Sequence, residues 1–213
     1  MEHKGLFITF EGCDGCGKTT AIKAVVSKLN EMGINPLVTR EPGGSKIAEQ
    51  IRKIILDKQN TEEDCRTEAL LYAASRRQHL VEIVIPALNE GKIVISDRYL
   101  DSSLAYQGHA RGIGIDEVMS INAFAIDKTM PDLTFFLDLT PEEGLARIAA
   151  NKNRKVDRLD SEKLSFHKKV YEGYKIVKEK FPERIVSIDA RNSVEEIASQ
   201  IVKVILDRIN KDK

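Results

Sequence analysis

Gly12-Cys13-Asp14-Gly15-Cys16-Gly17-Lys18-Thr19 stands between a short apolar run, Gly5 to Phe10, and a stretch with helical spacing, Thr19 to Met32. The string fits G-x-x-x-x-G-K-[ST] at every fixed position, in the strand-then-helix setting that the motif demands. A chance match of this kind arises in on the order of 1 in 100 chains of this length. The residue types follow from the chemistry. Glycines let the backbone curl so that successive N–H groups point at phosphate oxygens. The helix N-terminus behind them adds a positive partial charge. Lys18 reaches the terminal phosphates and the Thr19 hydroxyl takes a magnesium position. Gly12, Asp14, Gly15, Cys16, Gly17, Lys18, Thr19 and Thr20 are thus the expected contacts to the phosphates of a nucleotide.

A phosphate loop of this type belongs to an α/β sheet, and the remaining periodicity agrees. Asn35–Thr39, Lys92–Ser96, Leu133–Leu139 and Arg184–Ile188 read as further strands. Helices are predicted over Lys46–Leu56, Cys65–Leu88, Ile115–Ile126, Ser161–Lys180 and Val194–Ile209. Pro86 predicts a kink near the end of the second of these. Thr140 and Pro141 read as the N-cap and first position of one more helix. Five buried strands separated by helices imply a parallel sheet covered on both faces. Ligands in such sheets sit at the carboxyl ends of the strands. Length, with no repeat or linker, predicts a single domain over 1–213.

Composition removes several classes of function. The chain has 33 Lys plus Arg and 33 Asp plus Glu, so no bulk positive charge favours a nucleic acid polymer. No stretch approaches the ~20 apolar residues of a membrane span, and no signal peptide is evident. Three cysteines (Cys13, Cys16, Cys65) suggest reduced thiols in a cytoplasmic protein. Cys13 and Cys16 read as loop positions, since a zinc site lacks its second pair of ligands. The minority reading is an oxidisable pair that closes the loop against nucleotide.

Polar clusters follow the strands: Thr39-Arg40-Glu41-Pro42-Gly43-Gly44, Ser96-Asp97-Arg98-Tyr99 and Asp101 to Gly108. A phosphorylated acceptor calls for guanidinium forks, because Arg matches phosphate oxygens bidentately. Arg40, Arg52 and Arg98 are the candidates, with Glu41 in the same cluster. Arg52 by itself also reads as a solvated helix face. Asp97, at a strand end, suits a carboxylate acting on magnesium through water. A base needs an aromatic stack and an edge reader. Tyr72 stacks, Arg76 lies one helical turn on, and Gln107 both donates and accepts.

Together these pieces resemble the bacterial thymidylate kinase family from Phe7 to about Ala190. The diagnostic strings are EGCDGCGKTT, TREPGG, YAASRRQH, SDRYLDSSLAYQG and VDRLD. The resemblance implies a P-loop nucleoside monophosphate kinase fold with a short basic lid, ATP and dTMP as substrates, Mg2+ as cofactor, and a homodimer. It implies that Lys18 and Thr19 hold the ATP phosphates and magnesium, and that Asp14 accepts from the deoxyribose 3′-hydroxyl. It places Arg40, Arg52 and Arg98 on the acceptor phosphate, Tyr72 at the stacking position where Phe is usual, and Arg76, Ser103 and Gln107 on the base. The hydroxyl of Tyr72 needs a partner of its own. The Ile115–Ile126 helix is apolar enough to serve a dimer interface or simply the core.

Asn151 to Asp160 is polar, basic and without periodicity, which fits a solvated loop or a closing lid. A phosphoryl transition state spreads negative charge over its equatorial oxygens, and a delivered arginine raises the rate. Arg147, Arg154 and Arg158 are candidates, and the resemblance favours Arg158. Two rival readings are a kinase for another nucleoside monophosphate and a phosphate-loop switch protein without acceptor turnover. A DNA-associated ATPase lacks its basic patch.

Overall fold

The computed structural model describes residues 4–150, 158–159 and 162–211. Five parallel strands form one sheet: β1 Phe7–Glu11, β2 Leu37–Arg40, β3 Val94–Asp97, β4 Leu133–Asp138 and β5 Ile185–Asp189, in the order β2-β3-β1-β4-β5. The expected α/β fold is therefore present. β1 lies at the centre, with Phe10 beside Asp97 of β3 and Phe135 of β4. Its five residues are all buried, as a strand covered on both faces must be.

The helices are α1 Lys18–Glu31, α2 Lys46–Leu56, α3 Cys65–His79, α4 Ile85–Asn89, α5 Leu100–Ser103, α6 Ile115–Ile126, α7 Pro141–Ala150, α8 Leu164–Lys180 and α9 Val194–Lys211. Alternation along β1 divides the core. Ile8 and Phe10 join Val25 and Leu29 of α1 and Ile201 and Ile205 of α9 on one face. Phe7 joins Leu80, Tyr99, Leu104 and Tyr174 on the other. Gly33 (φ 79°) ends α1, where its N–H donates to Asn30 O and the next N–H donates to Leu29 O. Thr140 and Glu143 form a reciprocal cap on α7, and Ser193 and Glu196 do the same for α9.

The expected kink near Pro86 takes the form of a π-helical turn, Leu80–Val84, between α3 and α4. Proline has no N–H and its ring collides with the carbonyl four residues back, so a wider turn before it relieves the ladder. A second π-helical run, Leu104–Ala110, continues α5. In the sequence most of this segment shows only as a polar cluster. It is helical and almost wholly buried, and its polar side chains face other polar groups inside the protein.

Candidate active site

The carboxyl ends of β1, β2 and β3 open into one cavity of about 750 Å³. Asp14 to Thr20 line one end of it. The loop packs against α7 by glycine contact: a Cβ on Gly15 would lie 2.1 Å from Gly144 O. Only glycine permits that approach, and it brings Arg147 and Ile148 to the same end of the cavity. Lys18 is buried beneath the loop, its Nζ donating to Gly12 O at 2.9 Å and Cys13 O at 3.1 Å. Thr19 Oγ1 donates to Asp97 Oδ2 at 3.1 Å, so the two residues predicted to share a metal are adjacent. Both are oxygen donors of the hard type that Mg2+ takes. Cys13 and Cys16 are loop positions between β1 and α1, as expected. Both are buried, one in each of the two core layers.

Arg98 occupies the middle of the cavity. Its φ of 71° is unusual for a residue with a Cβ, and such strain persists only where surrounding contacts fix it. The guanidinium supplies those contacts. Nη2 donates to Asp14 Oδ1 at 2.6 Å, and Nη1 donates to Gly12 O at 3.1 Å, Ser102 Oγ at 3.1 Å and Tyr174 OH at 2.9 Å. Tyr106 OH donates to Asp14 Oδ2 at 2.8 Å. Beneath them Glu11 accepts from Tyr99 N at 2.7 Å, Ser102 Oγ at 2.6 Å and Tyr174 OH at 2.9 Å. Burial, with the Asp101 charge adding to it, pushes the Glu11 carboxyl up to about 7 against the pull of Arg98 and two hydrogen bonds. The sequence does not single out Glu11 or Tyr106, and it gives Tyr174 no assigned role. A signal existed for Glu11: a carboxylate inside a strand buried on both faces needs partners, and partners of that kind build sites.

The far end is assembled from α2, α3 and the π-helical run. Arg40, Glu41, Arg52, Tyr72, Arg76 and Gln107 all line it. Arg40 pairs with Glu49 at 2.7 Å, and Arg52 donates to Pro42 O at 2.8 Å. Arg76 is 1% exposed and bonded in four directions. Nε donates to Glu41 Oε2 at 2.8 Å, Nη1 to Asn122 Oδ1, and Nη2 to Tyr99 O at 3.0 Å and Ser103 Oγ at 3.2 Å. His79 Nδ1 lies 3.0 Å from the other oxygen of Glu41. Ser103 is thus behind Arg76 rather than among the lining residues.

Arg158 points elsewhere. It donates to Ile55 O at 2.9 Å and pairs with Glu63 at 2.7 Å and with Glu68, while its neighbour Leu159 lines the cavity. Arg154 lies outside the described residues, as does most of the predicted lid. Ala190, Asn192, Ser193 and Val194, past β5, also line the cavity beside Arg147. No short motif marks them.

A parallel sheet of this order, a phosphate loop after its central strand and an arginine-rich second end to the same cavity define a P-loop nucleotide kinase. The thymidylate kinase family model matches residues 10–201. The chain is 60% identical to the thymidylate kinase of Clostridium novyi (strain NT) over 199 residues, covering 93% of this chain and 97% of that one. It is 57% identical to the thymidylate kinase of Oceanobacillus iheyensis over 206 residues, covering 97% and 92%. It is 56% identical to that of a Geobacillus species (strain WCH70), covering 97% and 98%. The chain belongs to the thymidylate kinase family.

Proposed function

We propose that the protein transfers the γ-phosphoryl group of ATP to dTMP, giving dTDP and ADP. The observation that carries this is the continuity of the cavity: one space joins the phosphate loop to the arginines and to Tyr72 and Gln107. ATP phosphates lie on the loop backbone and Lys18. The adenosine end extends toward Arg147 and the 190–194 segment. The acceptor phosphate is held by Arg98 at the centre, with Arg40 and Arg52, and Asp14 takes the deoxyribose hydroxyl. Tyr72 stacks on the base, Arg76 and Gln107 meet its edge, and Ser103 holds Arg76 from behind. Thr19 and Asp97 would hold Mg2+, which when bound would supply positive charge to offset that of the phosphates. The acceptor oxygen is already anionic near neutral pH, so no strong general base is required. Positioning and charge neutralisation by Lys18 and Arg98 carry the rate. A switch protein leaves the arginine cluster and the Tyr72 end without a purpose, and a kinase for another base would need other groups than Arg76 and Gln107 at the base edge.

Label transfer tests this directly. With γ-labelled ATP, magnesium and dTMP, the label should appear in dTDP. Label found only in inorganic phosphate would overturn the assignment.

We also propose that two copies associate through α6. Phe124 is 91% exposed there, and Leu70 and Val81 are exposed on the neighbouring helical run. Light scattering should give twice the monomer mass, and Phe124→Glu should halve it; an unchanged mass would remove this helix from the interface. No helix among the described residues is long and apolar enough to cross a membrane. The three free cysteines support a cytoplasmic location.

A further inference from the structure

Glu68 does not line the cavity, yet it is 1% exposed and surrounded by groups that matter to it. Gln107 Nε2 donates to its Oε1 at 2.8 Å. Arg111 donates to both its oxygens at 3.3–3.4 Å, and Arg158 Nη2 donates to Oε2. Burial alone would raise the Glu68 carboxyl; Arg111, the Gln107 hydrogen bond and Arg158 outweigh that and hold it below its ordinary value. Glu68 is therefore an ionised carboxylate at depth, and an ionised carboxylate only accepts hydrogen bonds.

This settles which way the Gln107 amide faces. Its NH2 must be the group turned to Glu68, because the amide oxygen against a carboxylate would set two acceptors together. The amide oxygen is then free to meet a ligand in the cavity that Gln107 lines. A thymine whose N1 carries the sugar has a single N–H donor, at N3. Cytosine has an acceptor at that position.

We propose that Glu68 is a specificity-determining positioning residue: by capturing the NH2 of Gln107 it makes the pocket demand a base with an N3–H donor. Arg111 and Arg158 serve this by keeping Glu68 charged. The inference rests on the reading of the cavity's far end as a thymidylate site and adds the residue that sets its polarity. A site built to pair a polar group rejects strongly the analogue that cannot pair with it.

The test compares kcat/KM for dTMP and 5-methyl-dCMP, which keeps the 5-methyl group but lacks the N3–H. Glu68→Gln is near-isosteric, and its own amide can donate to Gln107, which frees that side chain to flip. The dTMP to 5-methyl-dCMP ratio should fall at least about tenfold, with turnover of 5-methyl-dCMP rising in absolute terms. Glu68→Asp keeps an acceptor-only group and should retain most of the ratio. Equal losses on both acceptors in Glu68→Gln, or an equal change of ratio in Glu68→Asp, would overturn the inference while leaving the kinase reading intact. Failure of the wild-type protein to phosphorylate dTMP would instead overturn the kinase reading. Should Glu68→Gln lose its cooperative unfolding transition, Gln107→Leu decides: collapse of the ratio supports the inference, and an unchanged ratio ends it.

Discussion

The two ends of the cavity are built in different ways. The phosphate-loop end is largely backbone, a tight turn packed glycine to glycine on α7, with few side chains in play. The acceptor end is side chain upon side chain, drawn from β2, α2, α3, β3 and the helical run from Leu100 to Ala110 and held by buried ion pairs such as Arg76–Glu41. A polyphosphate has the same shape in every nucleotide, so a fixed backbone cradle suits it. A base and a monophosphate must be told from close analogues, which takes polar groups held in one orientation, and such groups are costly to leave unpaired in a low dielectric.

That contrast makes predictions of graded size. Lys18→Ala should lower kcat by on the order of 10³, because charge on the transferring group loses its nearest cation. Arg98→Ala should lower kcat/KM for dTMP by a similar order while the KM for ATP changes little. If both variants shift the two KM values alike, the ends are not separate.

Arg76→Ala tests the acceptor end as architecture. It leaves Glu41 short of its strongest partner inside the protein. Denaturant unfolding should show a loss of about 3 kcal/mol. The equivalent measurement on Lys18→Ala should show much less, since its partners are loop carbonyls rather than a buried charge.

Two arginines sharpen the division further. Arg147 lines the donor end, so Arg147→Ala should raise the KM for ATP several-fold. Arg158 is paired with Glu63 and Glu68 instead. With that pairing, Arg158→Ala should raise the KM for dTMP more than it lowers kcat; a pure kcat effect would put Arg158 on the transferring phosphoryl group instead.

Glu11 tests the shared floor of the cavity through pH. Its carboxyl, ordinarily near 4.5, is raised to about 7 chiefly by burial and next by Asp101. The native state therefore binds this proton more tightly than the unfolded chain does. The resulting stability is complete below the unfolded value and is lost as pH rises through the folded one. Between roughly pH 5 and 8 the wild-type protein should lose stability relative to Glu11→Gln. Parallel curves for the two proteins would refute the shift.

The same contrast explains what the sequence reveals. The phosphate loop is legible because one backbone conformation requires one short string of glycines, Lys18 and Thr19. The acceptor residues Arg40, Arg52, Tyr72, Arg76 and Gln107 are recognisable as a set, and the fold does bring them to one cavity. Their partners are not legible. Nothing in the spacing of Glu41, His79 and Asn122 shows that they converge on or beside Arg76. Asp101 to Gly108 reads only as a polar cluster because its burial is among other polar groups, which hydropathy cannot distinguish from exposure. Asn192 and Ser193 reach the site only through the pairing of β5 beside β4.

The most direct measurement is ADP release with ATP and magnesium against dTMP, dUMP, dCMP, dGMP, AMP and thymidine. Strong turnover of dTMP, weaker turnover of dUMP and none of the others is the result predicted for one cavity with a phosphate-holding centre and a thymine-reading end. Nucleotide binding without turnover of any acceptor would contradict it and leave only the phosphate loop standing.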